Sequence, residues 1–97
     1  MTYIDNNEVL EYFHHNTLNG WFVEECNMSG AISYYNSHHD TVVYATPNWD
    51  TDGVVPIASC DGEDYKEITE IVLSGSISEQ LTEYTTIIES ILSKIKK

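Results

Sequence analysis

Apolar positions along the chain change their period twice, from helical to strand and back, and the changes mark out the elements. Asp5 to Glu8 reads as an Asp-x-x-Glu capping box, with Ile4 and Val9 placed as a hydrophobic staple around it. Val9, Leu10 and Phe13 then make one apolar face, which predicts a helix through about His15 that Asn19-Gly20 brings to an end. From Trp21 the pattern becomes that of strands. Trp21–Cys26, Ala31–Tyr35 and Thr41–Thr46 are rich in β-branched and aromatic residues, and short polar connections separate them, so an antiparallel meander is expected. Pro47 closes the third run. After the loop 48–53, Val54-Val55-Pro56-Ile57-Ala58 reads as an edge strand or an extended segment, because proline cannot donate to a ladder.

The C-terminal third carries two more capping-box patterns. Asp64 to Glu67 is followed by Tyr65, Ile68, Ile71 and Val72 at helical spacing, which predicts a helix up to Ser74-Gly75. The same residues also alternate as a strand over Ile68, Glu70 and Val72. Ser76 to Glu79 precedes a continuous stripe of Leu81, Tyr84, Ile87, Ile88, Ile91, Leu92 and Ile95, a long amphipathic helix with lysines at its C-terminal end. The expected fold is α+β: a single domain over residues 1–97, with a small antiparallel sheet of three to four strands packed with an N-terminal helix and one or two C-terminal helices.

Charge changes this picture from fold to function. The chain of 97 residues has 16 Asp and Glu against 4 Lys and Arg, a net charge of −12. Three lysines fall in the last four residues, and residues 1–65 contain 11 acids with no Lys or Arg at all. Hydrophobic residues are 41% of the chain, too many for a disordered acidic tail. Such a domain repels nucleic acid and anionic membranes, and suits a basic protein partner. The first eight residues hold no basic residue and no apolar stretch, so no signal peptide is expected, and two cysteines are too few for a disulfide scaffold. A cytoplasmic protein, monomeric when free, is the expectation.

Catalytic and metal chemistry find little support in the motifs. Cys26, Cys60, His14, His15, His38 and His39 form no recognised nucleophile or zinc pattern. The near absence of Lys and Arg leaves nothing to hold an anionic substrate, and neither an enzyme nor a cofactor is expected. Asn48-x-Asp50-x-Asp52-Gly53 copies the first half of a calcium loop, but Ser59 stands where its closing bidentate Glu belongs. A calcium module is therefore a lesser alternative and no metal site is expected.

The carboxylates themselves remain. Asp61, Glu63, Asp64, Glu67 and Glu70 form the densest cluster, supported by Asp50 and Asp52 in the loop and by Asp5, Glu8 and Glu11 on the first helix. Tyr34, Tyr35, Trp49 and Tyr65 are interleaved as candidate anchors. A lone-sign surface costs stability through self-repulsion, and its value lies in fast, salt-sensitive association with a groove built for phosphates. In length, charge and expected fold the chain resembles the small acidic phage-encoded inhibitors that mimic DNA, most of all anti-CRISPR proteins, and the uracil-DNA glycosylase inhibitor proteins have a similar profile. The resemblance implies binding to a Cas complex or nuclease and exclusion of its target DNA. An immunity- or antitoxin-like partner of a basic protein shares the same surface.

Overall fold

A computed structural model describes residues 3–18, 20–25, 30–36, 38, 41–47, 53–62 and 64–95. Helix α1 (Asn6–His15) leads into five strands, β1 (Phe22–Glu25), β2 (Ile32–Tyr35), β3 (Thr41–Ala45), β4 (Val54–Asp61) and β5 (Asp64–Val72), and helix α2 (Ile77–Ile95) ends the chain. The strands pair antiparallel in sequence order, so the sheet is a plain meander. The α+β expectation holds, with five strands rather than three or four and one C-terminal helix.

Local signals explain both helices. Asp5 Oδ1 accepts hydrogen bonds from the backbone N–H groups of Asn7 and Glu8 at 3.0 and 3.3 Å, and Glu8 Oε1 accepts the Asp5 N–H at 2.7 Å. Ile4 and Val9 of the staple are both fully buried. Ser76 and Glu79 make the same reciprocal pair at α2, at 2.8 and 3.2 Å. Residues 80, 84, 88 and 92 of α2 form its buried stripe. Gln80 in that stripe joins the chain's two ends, accepting the Ile4 N–H and donating to the Gly75 carbonyl, each at 3.0 Å.

Two expectations are corrected. The segment from Asp64 to Val72 is strand β5, not a helix. Gly62, at φ 72°, lets the chain turn tightly so that Asp64 returns opposite Asp61, and the β-branched Ile68, Thr69, Ile71 and Val72 suit the ladder thus begun. With β5 in place, β4 is internal rather than an edge. Pro56 is tolerated because its carbonyl points to β3 and accepts the Thr46 N–H at 3.4 Å. Its nitrogen lies on that same side, where β3 has just ended, so no bond to β5 is lost.

Both helices cover one face of the sheet. Ile32, Tyr34, Val43, Ala45, Val55, Ile57, Ile71 and Leu73 from the sheet meet Val9 and Phe13 of α1 and Tyr84, Ile88 and Leu92 of α2 in one core. Among the described residues no helix lies against the opposite face.

Candidate functional site

Strand pleating decides which face each acid occupies, because neighbouring residues point to opposite sides. Val55 and Ile57 are buried under the helices, so Pro56, Ala58 and Cys60 lie on the outer face, with Val42 and Tyr44 beside them on β3. Register carries the assignment outward. Phe22 and Glu24 pair with Tyr35 and Ser33 on the outer face at one side of the sheet. At the other, Cys60 pairs with Tyr65 and Ala58 with Glu67. A bulge follows: Ile57 pairs with Thr69 and Ala58 with Glu67, leaving Ile68 as the extra residue. Beyond it Glu70 and Val72 point outward again, because Ile71 and Leu73 are buried.

The outer face therefore combines Glu24, Glu67 and Glu70 with Phe22, Tyr35, Tyr44, Tyr65 and Val72. Phe22 is 54%, Tyr65 72% and Val72 63% exposed, values that mark a surface without an intramolecular cover. Phe22 and Tyr35 stack at a centroid distance of 5.3 Å. The Tyr35 hydroxyl donates to Glu24 Oε2, and that bond, ahead of lesser effects, raises the phenol's pKa. Among the described residues this face carries no Lys or His.

The predicted acid cluster is divided by the same pleat. Asp61 and Asp64 are directly opposite one another at the hairpin end and point to the helix side, while Glu67 and Glu70 point outward. All residues described from Asp64 to Glu70 are exposed, so the hairpin presents carboxylates on both faces. On its helix side, Asp61, Asp64, Lys66 and Ile68 border an open groove of about 500 Å³ closed by Ile91, Lys94 and Ile95 of α2. Both described lysines are thus on the side away from the acidic aromatic face.

Other predicted residues lie elsewhere. Asp5 and Glu8 are occupied in capping α1, and Glu11 is exposed on that helix, which packs by β1. Four strand spacings, about 19 Å, separate β1 from β5, so these acids do not join the hairpin cluster. The hydrogen bond with the Glu8 side chain, then backbone N–H donors, hold the Asp5 carboxyl below its ordinary pKa against the opposing effect of partial burial. Tyr34 is corrected as an anchor: it is fully buried, with its hydroxyl 2.6 Å from that of Tyr84 and its ring edge-on to Phe13. Glu63, Asp50, Asp52 and Trp49 lie outside the described residues, as do Cys26 and His39.

Phe22 and Val72 were not among the sequence candidates. Their signal was the alternation Phe22-x-Glu24 and Glu70-x-Val72, which sets an apolar residue beside an acid on one face.

Cys60 and the two histidines of α1 lie apart. Cys60 sits on the outer face with Sγ 3.2 Å from the Gly62 carbonyl, whereas His14 and His15 are exposed at the end of α1 on the other side. No group of three His, Cys, Asp or Glu is placed to hold a metal ion among the described residues. Gly53, the glycine of the calcium-like loop, has a packing reason of its own. Its φ is 86°, its carbonyl accepts the Leu73 N–H at 2.8 Å, and a Cβ there would meet the Tyr3 ring at 2.5 Å. No helix is long and apolar enough to cross a membrane among the described residues. No protein-family model matches the chain, and no curated protein or solved structure matches it either.

Proposed function

We propose that the protein is a non-enzymatic inhibitor that binds a basic, nucleic-acid-binding protein and keeps DNA from it, in the manner of an anti-CRISPR protein acting on a Cas complex or nuclease. The observation that carries this reading is an uncovered sheet face that holds acids and, among the described residues, no lysine. The uncovered sheet face holds Glu24, Glu67 and Glu70 among exposed aromatic and apolar side chains, while Lys66 and Lys94 are on the other side. The acidic hairpin continues that face to the molecule's edge. Its carboxylates stand in for phosphates against a row of Lys and Arg, and Phe22, Tyr65 and Val72 bury apolar area once the charges have brought the partners together.

The test is competition with duplex DNA for a purified Cas complex, using the protein and a Glu24→Lys, Glu67→Lys, Glu70→Lys variant with an unchanged circular-dichroism spectrum. The parent is expected to displace DNA at low salt and to weaken as salt rises. The variant is expected to lose displacement. A variant that competes as well as the parent would remove this surface from the mechanism, and a parent that never competes with any DNA-binding complex tested would remove the function.

A further inference from the structure

The sheet ends at β5, a strand of nine residues, and the phase of its hydrogen bonds can be followed residue by residue. Leu73 donates its N–H to Gly53 in line with β4. Backbone direction alternates along an antiparallel strand, so Ile71 and Thr69, paired with Val55 and Ile57, also turn their N–H and C=O groups toward β4. Glu70 and Val72 must then turn theirs away. The pair Pro56–Glu70 agrees, since Pro56 has no N–H to exchange and its carbonyl is directed to Thr46 on the far side. Among the described residues no backbone group meets this edge, and the Glu70 carbonyl receives only a long 3.5 Å bond from the Thr69 hydroxyl.

Edge strands are ordinarily blunted by brevity, a cover, lysine or a bulge. The opposite edge is of that kind: β1 has four residues, α1 packs beside it, and Asn6 Nδ2 ties Glu25 Oε2 and the Gly30 carbonyl at 2.9 and 2.7 Å. On β5 the bulge and Lys66 protect only the hairpin half. Thr69 to Val72 is left regular and open, with Glu70 and the exposed Val72 on its outer face.

We propose that the free edge of β5 is a strand-addition site, and that its occupant is an extended Lys- or Arg-bearing segment of the basic partner. The proposal rests on the reading of this protein as an acidic ligand and adds how the contact is made. Backbone hydrogen bonds to Glu70 and Val72 supply affinity, and a basic side chain beside Glu70 and Glu67, with an apolar one on the helix side near Ile71, supplies selectivity. A second copy of the chain is a poor occupant, because it brings the same net charge of −12 to the same edge.

The probes are a capped, alternating Lys-Val decapeptide and the same peptide N-methylated at every residue, equal in charge but deprived of backbone donors. Amide hydrogen exchange of the intact protein is expected to slow at least tenfold at Glu70 and Val72 with the first peptide. The N-methylated peptide is expected to bind at least tenfold more weakly, and Glu70→Pro to weaken the first peptide similarly, because that N–H serves no bond within the sheet. Equal binding of the two peptides, or protection away from β5, overturns strand addition and leaves a contact of charge alone. Failure of the inhibitor reading is separate: the protein then leaves DNA in place on every complex, whatever the peptides do.

Discussion

Pro56 and Ile57 are neighbours in β4, yet they belong to surfaces of opposite character. Ile57 is fully buried in a core that gathers residues from every strand but the first and from both helices. Pro56 faces outward between Thr46 and Glu70, on the side away from both helices. Each strand contributes to both faces at once, so an antiparallel sheet lets a small protein hold its stability on one side and leave the other open to solvent. Asp61 and Asp64 point to the helix side at the exposed hairpin end. Glu24, Glu67 and Glu70 use outward positions, and none replaces a core residue.

The division predicts unequal responses to similar truncations. Ile57→Ala is expected to cost about 2–5 kcal/mol in urea unfolding, since it removes buried methyl groups and leaves a cavity. Val72→Ala, on the same sheet but 63% exposed, should stay within about 0.5 kcal/mol. Comparable losses at the two positions would show that something covers the outer face in the free protein.

Next in size is the buried hydroxyl pair of Tyr34 and Tyr84. Tyr34→Phe leaves the Tyr84 hydroxyl buried alone, an expected loss of about 1–3 kcal/mol, while changing both to Phe should restore most of it. Burial holds both phenols above their ordinary pKa. A raised folded value favours the neutral form, so this contribution is complete below the unfolded tyrosine pKa of about 10 and declines as pH climbs toward the folded value. The double Phe variant should therefore lose less stability above pH 10 than the parent. Equal alkaline losses would exclude this pair as their source.

The inner face was easier to read from sequence than the outer. Val9, Phe13, Tyr84, Ile88 and Leu92 announce themselves by helical period, and Asp5–Glu8 and Ser76–Glu79 fix where both helices begin. The strand reading also located the meander. What escaped was set by partners distant in sequence. Pro56 looks like an edge residue until β3 is known to end beside its nitrogen, and Tyr34 looks like an anchor until Tyr84, fifty residues away, takes its hydroxyl. Counting acids along the chain gave one cluster at residues 61–70, but pleat and bulge distribute it over two faces, and the α1 acids lie across the sheet. A gathering of like charges in sequence is not a gathering on a surface.

The smallest expected effects come from two copies of one local signal. Asp5-x-x-Glu8 and Asp64-x-x-Glu67 are the same capping pattern, yet the first opens α1 and the second begins β5. Asp5→Ala should cost about 1 kcal/mol, because two backbone donors at the helix start lose their acceptor. Its carboxyl has a lowered pKa, so the stabilisation is present above the unfolded aspartate value of about 3.9 and fades as pH falls through the folded one. The gap between parent and Asp5→Ala should accordingly narrow from pH 6 to pH 3. Asp64 faces Asp61 across the hairpin, a like-charge pair, so Asp64→Ala should be neutral or stabilising by about 0.2–1 kcal/mol at pH 6 and less so at high salt. A destabilised Asp64→Ala protein would mean that the carboxylate has a binding role in the free fold, such as holding a cation with Asp61. An opposite sign at the two aspartates would show that the pattern acquires its meaning from its tertiary setting, here the pairing of residues 64–72 with β4.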